Sequence, residues 1–237
     1  MTTAARWKEL CMDTTGGEGL GRFWGAVTGA RFQPGGEAGD PGKVVAEEPG
    51  GSIAMCPVPE AKTVKQRVHL DVYAASVDDL VALGARVLLP AEESGLAWTV
   101  MADPEGGEFC AFLREPAQLP AYRCHGVVVD SADPESQARW WGEVLGVEPH
   151  DNDGRGFWTL TGIPGNPITT MDFVPVPEPK TVKNRVHWDV YGDPEQLERA
   201  GATLLRPRGD GATGSGRGLA WTVMADPEGN EFCVFER

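Results

Sequence analysis

The sequence predicts an α+β protein built as a tandem duplication, and two long internal repeats support this prediction. Residues 62–73 recur as residues 180–191, with ten of twelve positions identical. The segment Gly95–Phe112 recurs as Gly218–Phe235, with sixteen of eighteen identical. Two copies of this length are two domains and not a solenoid, which stacks three or more short repeats.

The repeats divide the chain into two predicted domains, residues 1–114 and 121–237. They are joined by the proline-bearing linker 115–120, which has no apolar period. The second copy carries a longer glycine-rich stretch at 208–217, which predicts a surface loop.

Each half of the chain is predicted to contain two β-α-β-β-β modules. In the second half, the modules run from Arg123 to Phe173 and from Arg185 to the C-terminus. Their helices begin with Asp-Pro-Glu at Asp133 and Asp193, which combines an N-capping aspartate, proline at the first helical position and an acid in the first turn. In the first half, Ser76 and Gly84 bracket the second helix.

Composition narrows the classes of partner and compartment. The formal net charge of −14 is spread along the chain and repels nucleic acid and anionic lipid, so we expect neither as a partner. The five cysteines form no CxxC pair, and no apolar stretch has the length of a signal peptide or membrane span. These features favour reduced thiols in a cytoplasmic protein. For its oligomeric state we expect a monomer or a homodimer.

Strand periodicity predicts which side chains share a face. Successive residues of a strand alternate between faces. Val186, Trp188 and Val190 therefore suit packing under helices, whereas the opposite face of the same copy carries His187, Asp189, Tyr191, Glu231, Cys233 and Phe235. The first copy places on this face His69, Asp71, Tyr73, Glu108, Cys110 and Phe112. An imidazole, a carboxylate and aromatic walls on one face suit a polar-headed organic ligand.

The paired modules, each with an Asp-Pro-Glu-Gly turn before its last strand in the repeated segments, resemble the vicinal oxygen chelate superfamily. The resemblance is closest to its glyoxalase-like branch, on the segments VKNRVHWDV and ADPEGNEFCV. It implies that the modules of each domain form a curved mixed sheet around a cleft, with helices outside. It also implies relatives among glyoxalase I, bleomycin-resistance proteins and extradiol dioxygenases.

The same resemblance implies which residues would bind a metal. His69 and His187 match the family's metal histidine of the second module, and a hydrogen-bonded histidine without metal is the equal alternative. Cys110 and Cys233 stand where metal-dependent relatives carry a glutamate, so small buried side chains are favoured there over ligands. Glu108 and Glu231 are candidate substitutes or solvated acids.

The first halves of the two copies differ. His125 lies in the first strand of the second domain, where Lys8 is its counterpart, and Asp172 has Ala54 as its counterpart. We therefore expect any metal site, for Zn, Fe, Ni or Mn, in the second domain. Its candidate ligands are His125, Asp172, His187 and Glu231 or Cys233.

Three functions remain open. A binding protein would hold a small organic molecule in a cleft lined by Tyr73, Trp98, Tyr191, Trp221 and Phe235, as in bleomycin-resistance proteins. A metal-dependent lyase, isomerase or dioxygenase would use His187 and Glu231 in catalysis. A pseudo-enzyme would have a structural or dimerisation role only.

Overall fold

A computed structural model describes residues 3–36, 40–211 and 218–236. The predicted α+β class is confirmed, with two eight-stranded mixed sheets and few helices. The predicted glycine-rich loop falls largely on residues 212–217, which lie outside the described residues.

Four modules follow one another, each with a strand, a helix and three further strands, and the second module has one additional short helix. The first comprises β1 (Ala5–Thr14), α1 (Glu18–Thr28), β2 (Arg31–Gln33), β3 (Lys43–Val45) and β4 (Ile53–Pro57). The second comprises β5 (Val68–Ala74), α2 (Val77–Ala82), β6 (Arg86–Leu89), α3 (Ala91–Ser94), β7 (Thr99–Ala102) and β8 (Glu108–Leu113). A 3-10 turn at Pro116–Gln118 lies in the linker.

The second half of the chain repeats this plan. Its third module comprises β9 (Cys124–Ser131), α4 (Pro134–Leu145), β10 (Pro149–Asp151), β11 (Trp158–Thr161) and β12 (Thr170–Pro175). The fourth comprises β13 (Val186–Gly192), α5 (Pro194–Arg199), β14 (Thr203–Arg206), β15 (Thr222–Ala225) and β16 (Glu231–Phe235). The predicted N-caps are confirmed: Ser76, Asp133 and Asp193 each accept a hydrogen bond from a backbone N–H of the first turn.

The sheets join modules from different halves of the chain. The first sheet has the order β14-β15-β16-β13-β1-β4-β3-β2, and the second has the order β10-β11-β12-β9-β5-β8-β7-β6. Module one therefore pairs with module four, and module two pairs with module three. The central contacts are antiparallel, between β1 and β13 and between β5 and β9.

The expectation that each half builds its own sheet is wrong. The segments that leave β4 and β12, residues 58–67 and 176–185, cross between the sheets. They are tied to one another because Arg67 Nη1 donates to Glu178 O and Arg185 Nη1 donates to Glu60 O, both at 2.6 Å. Only the linker around 115–120 connects two modules of one sheet.

Helices α1 and α4 lie between the sheets and make one continuous core. Trp24 on α1 contacts Phe109 of the second sheet, at 5.4 Å between ring centroids. Trp141 on α4 contacts Trp188 of the first sheet, at 5.0 Å. All four rings are almost fully buried. Each long helix thus covers both sheets and leaves the opposite sheet faces open. Among the described residues, no helix is long and apolar enough to span a membrane.

Candidate functional site

The predicted division of strand faces is confirmed in both sheets. Trp188 and Val190 are fully buried on the helix side, whereas Cys233 Sγ lies 3.5 Å from His187 Nε2 on the opposite side. We call this open face of the first sheet the His187 cleft. The equivalent face of the second sheet, where Cys110 Sγ lies 3.6 Å from His69 Nε2, is the His69 cleft.

Three potential ligand groups meet in the His69 cleft. His69 Nε2 lies 3.7 Å from Asp71 Oδ1, and the ligand atoms of His69, Asp71 and Cys110 all lie within 4.8 Å of one another. Burial lowers the pKa of His69 to about 4, so the imidazole is neutral at pH 7 and keeps a lone pair for a ligand. Burial raises the pKa of the Cys110 thiol well above its usual range.

Asp71 differs from the neighbouring Asp172 in its pKa and in its hydrogen bonding. Burial, with the nearby Asp172, raises its pKa to about 7. Its Oδ1 is buried without a hydrogen-bond partner. Gly126 faces it across the β5–β9 ladder, and a Cβ there would come within 3.0 Å of Asp71 Cβ. Asp172 is held by the hydroxyls of Thr159 and Thr170. The glycine thus leaves room for a carboxyl group whose Oδ1 has no hydrogen-bond partner.

A row of side-chain rings lies beside the polar side chains of His69 and Asp71. A β-bulge places His125 opposite the step from Asp71 to Val72. Its ring stacks on Tyr73 at 4.0 Å and meets the edge of Phe112 at 4.8 Å, and Phe112 contacts Trp98 at 5.2 Å. All four rings are half-buried, so each leaves part of its surface accessible.

The His187 cleft has a related arrangement with different side chains. The ligand atoms of Cys11, His187 and Asp189 lie within 4.8 Å of one another. Trp221 stacks on Phe235 at 5.5 Å, as Trp98 contacts Phe112 in the other cleft. Tyr191 is half-buried beside Phe235 in the β13–β16 ladder.

Lys8 and Glu9 replace His125 and Gly126 in this cleft. Lys8 lies at the bulge of β1, and Glu9 faces Asp189. The Lys8 ammonium lies 2.9 Å from Asp189 Oδ2, contacts Glu9 and sits 4.0 Å from the Phe235 ring centroid. Burial lowers the pKa of Lys8, but Asp189 and Glu9 outweigh it and raise that pKa overall. The predicted equivalence of Lys8 and His125 agrees with these two bulges.

Glu108 and Glu231 have structural partners. Glu231 accepts hydrogen bonds from Lys180 at 2.8 Å and from the backbone N–H of Asn184 at 3.1 Å. Glu108 accepts the same two bonds from Lys62 and Gln66. These acids anchor the segments that enter β13 and β5, and neither belongs to a described group of ligand atoms.

The proposed set of His125, Asp172, His187 and Glu231 is not brought together. His125 on β9 and Asp172 on β12 belong to the second sheet, whereas His187 and Glu231 belong to the first. The ligand set on which the predicted asymmetry rested is therefore divided between the two sheets. Each cleft has one group of three potential ligands, and the lysine expected to repel a cation lies beside His187.

Sequence reasoning missed several residues of the clefts. Asp71 and Asp189 were placed on the correct face but not among the ligand candidates, and Cys11 was not considered. The side-chain alternation along β1 could have placed Cys11 on the cleft face, because the neighbouring Leu10 and Met12, like Trp7, are buried apolar residues of the helix side. The bulge at Lys8 shifts that alternation, which is why simple periodicity fails there.

A cavity of about 600 Å³ lies between the two crossing segments. It is lined by residues 60–67 and by 178, 179 and 181–185 of the crossing segments, with Asp13 and Asp130. None of the predicted site residues lines it. Lys65 pairs with Asp130 at 2.5 Å, and Lys183 pairs with Asp13, so these charges already have partners.

Comparison with known proteins supports the superfamily resemblance. A family model described as a glyoxalase-like domain matches residues 9–112 and 126–235. No curated protein matches the sequence. Glyoxalase I from Zea mays superposes with a TM-score of 0.64 and 13% identity, over 98% of this chain and 92% of that one. A putative dioxygenase from Bacillus subtilis subsp. subtilis str. 168 gives a TM-score of 0.61 and 13% identity, over 100% and 86%. At these identities, the likeness shows the fold alone.

Proposed function

Because the chain belongs to the glyoxalase-like domain family of the vicinal oxygen chelate superfamily, we propose that it binds a small organic molecule in the His69 cleft. The observation that carries this proposal is the ring row Tyr73–His125–Phe112–Trp98 beside the polar group of His69 and Asp71. Accessible rings next to a few polar atoms are typical of small-molecule sites. The ligand class is an aromatic compound with a polar head, held as in bleomycin-resistance proteins.

The polar side chains of the cleft determine which chemical groups a ligand's head can carry. The pKa of Asp71 is raised to about 7, and His69 is neutral. Both side chains can therefore donate hydrogen bonds to, or accept them from, an uncharged hydroxyl group, and can donate to a carbonyl oxygen. A hydroxyl on an aromatic ring meets this requirement. A strongly anionic head would face Asp71 and Asp172 and is disfavoured.

The test is ligand binding followed by tryptophan fluorescence, with bleomycin and simple phenols, including catechol, as probes. We expect Phe112→Leu to weaken binding about three- to tenfold, because an aromatic pair contributes about 0.5–1.5 kcal/mol. Phe235→Leu makes the matched change in the His187 cleft and should leave binding unchanged. Equal weakening by both variants, or no binding of any probe, would contradict the proposal.

A second candidate is a metal-dependent lyase, isomerase or dioxygenase, and the close grouping of His69, Asp71 and Cys110 favours it. These side chains fit a divalent ion because the imidazole is neutral and Asp71 Oδ1 has no partner. A bound ion would polarise an oxygen of the substrate. The row of rings would orient that substrate, and Asp172 would stay fixed by Thr159 and Thr170.

Elemental analysis of protein purified without chelator distinguishes the two candidates. Near-stoichiometric Zn, Fe, Ni or Mn that is lost in His69→Ala supports the metal-dependent enzyme. Retention of that metal in His69→Ala would contradict it. No metal in this cleft after reconstitution would favour the binding protein.

A further inference from the structure

An exposed apolar surface lies on the helix and the edge strand of module two. Helix α2 packs beside strand β6. Together they carry five large aliphatic side chains that are 38% to 47% exposed: Val81, Leu83, Val87, Leu88 and Leu89. Single exposed aliphatic side chains are normal on a protein surface, whereas neighbouring ones mark a contact with another molecule. We call these five side chains the edge patch.

Strand β6 also presents an unpaired backbone edge. It is the last strand of the second sheet, so no described residue pairs with its outer side. The free N–H and C=O groups of such an edge form a template for another strand. The opposite edge of this sheet, β10, consists of Pro149, His150 and Asp151, and proline and charge commonly prevent edge pairing. Strand β6 has neither between Val87 and Leu89.

The other half of the chain has the same elements without the patch. Helix α5 and strand β14 are the counterparts of α2 and β6, and both edge strands have a β-bulge at the same place. The helix caps and the strand registers give the counterparts of Val81, Leu83 and Leu89, which are Glu198, Ala200 and Arg206. The fold therefore accepts a charged or small residue at these positions and does not itself require the apolar side chains of module two.

The charges at the two ends of β6 are complementary. Arg86 begins the strand, and Glu92 and Glu93 lie on α3, directly after its other end. All three side chains are exposed, and within the described part of the chain none has an ion-pair partner. When two identical strands pair antiparallel about a two-fold axis, the start of each strand meets the end of the other. Arg86 of one copy would then meet the acids of the other copy at both ends of the pair.

We propose that the edge patch is the interface of a homodimer in which the β6 strands of two copies pair antiparallel. This pairing joins the second sheets of the two copies and satisfies the free backbone groups of both edges. The aliphatic side chains meet across the two-fold axis, and Arg86 and the acids of α3 flank them on both sides. A second copy fits this surface because the strand, the patch and the charges are each self-complementary. The interface does not depend on the function proposed for the His69 cleft.

Sedimentation velocity of the full chain over a range of concentrations tests the dimer. We expect the wild type to form a dimer in a concentration-dependent manner. Leu89→Arg introduces the residue type found at the equivalent position, Arg206, and places a second cation beside Arg86 of the other copy. It should raise the dimer Kd at least about tenfold, because the two-fold axis creates this repulsion twice. Leu205→Arg puts the same charge on β14 and should leave the Kd unchanged.

A charge reversal separates the proposed strand pairing from general apolar association. Arg86→Glu brings like charges together at both ends of the pair and should also weaken the dimer. Combining it with Glu92→Arg and Glu93→Arg restores opposite charges and should recover most of the affinity. Circular dichroism confirms that each variant is folded. A wild type that is monomeric at all concentrations, an effect of Leu89→Arg no larger than that of Leu205→Arg, or no recovery in the combined variant would overturn the proposal.

Discussion

The bulges in the first strands of the first and third modules, β1 and β9, carry Lys8 in one cleft and His125 in the other. Lys8 brings a positive charge between Asp189 and Glu9, and Lys43 adds a second contact to Glu9 at 2.5 Å. His125 brings a neutral ring that extends the aromatic row. The chemistry of the two clefts therefore diverges at and beside the bulge, where Lys8 and Glu9 stand in place of His125 and Gly126, although the strands are equivalent.

Replacing Lys8 should destabilise the protein. The side chains of Lys8 and Asp189 are only 16% and 3% exposed, so Lys8→Met leaves a buried carboxylate without its cation. We expect a loss of about 3 kcal/mol in the free energy of unfolding, measured by urea denaturation. Lys43→Met is the control: Lys43 is 42% exposed, and its loss should cost about 1 kcal/mol or less. Equal effects would show that burial of the pair is unimportant.

His187 should make the protein sensitive to acid. Its folded-state pKa of about 3 lies below the usual value of 6.5, so the unfolded chain takes up the proton first. The stability it contributes is present above pH 6.5 and is lost as pH falls towards 3. His187→Gln should show a smaller fall in unfolding free energy between pH 6.5 and 4 than the wild type. His150→Gln, at an exposed site, should follow the wild type; an unchanged profile for His187→Gln would refute the assignment.

The Asp-Pro-Glu-Gly turns before β8 and β16 are confirmed as turns and also join the sheets. In the second of them, Asp226 Oδ1 accepts the backbone N–H groups of Glu228 and Asn230 within the turn. Glu228 reaches the other sheet and accepts bonds from Ser131 Oγ and the N–H of Asp133, both at 2.8 Å. The turn thus fixes the junction between β9 and α4.

Glu228→Ala should loosen this junction. The variant removes the acceptor of several backbone and side-chain bonds, and we expect a loss of about 1–3 kcal/mol in unfolding free energy. Glu135→Ala breaks only an exposed pair with Arg139 and should stay within about 0.5 kcal/mol of the wild type. Thermal and urea unfolding of both variants check this. A Glu228→Ala variant as stable as Glu135→Ala would contradict a role in joining the sheets.

The two halves of the chain depend on each other because each sheet takes modules from both. Residues 1–114 contain the first and second modules, whose principal partners, the fourth and third, lie after residue 120. In the separated first half, the edges of β1 and β5 that pair with β13 and β9 would be exposed. Their backbone N–H and C=O groups would then have no partners.

Expression of residues 1–114 and 121–237 as separate chains checks this dependence. We expect neither half alone to be a folded monomer, and we expect the mixture to recover the near-ultraviolet circular dichroism of the intact chain. Sedimentation gives the association state. A folded monomer from either half would show that the modules of one half can pair with each other.

The sequence by itself determined the four modules, the starts of three helices and the face on which the cleft residues of the repeated segments lie. These features depend on short-range properties: capping, turn chemistry and the two-residue period of a strand. His69, Cys110, His187 and Cys233 were placed on the open faces for this reason.

Only the tertiary structure decided which modules share a sheet. Strand pairing is a backbone interaction between segments far apart in the chain, and alternation of side chains specifies a face but not a partner. The crossing of residues 58–67 and 176–185 therefore moved His125 to the cleft of His69. The same crossing brought Lys8 and Cys11 beside His187, where the sequence had predicted a site built from residues of the second half alone.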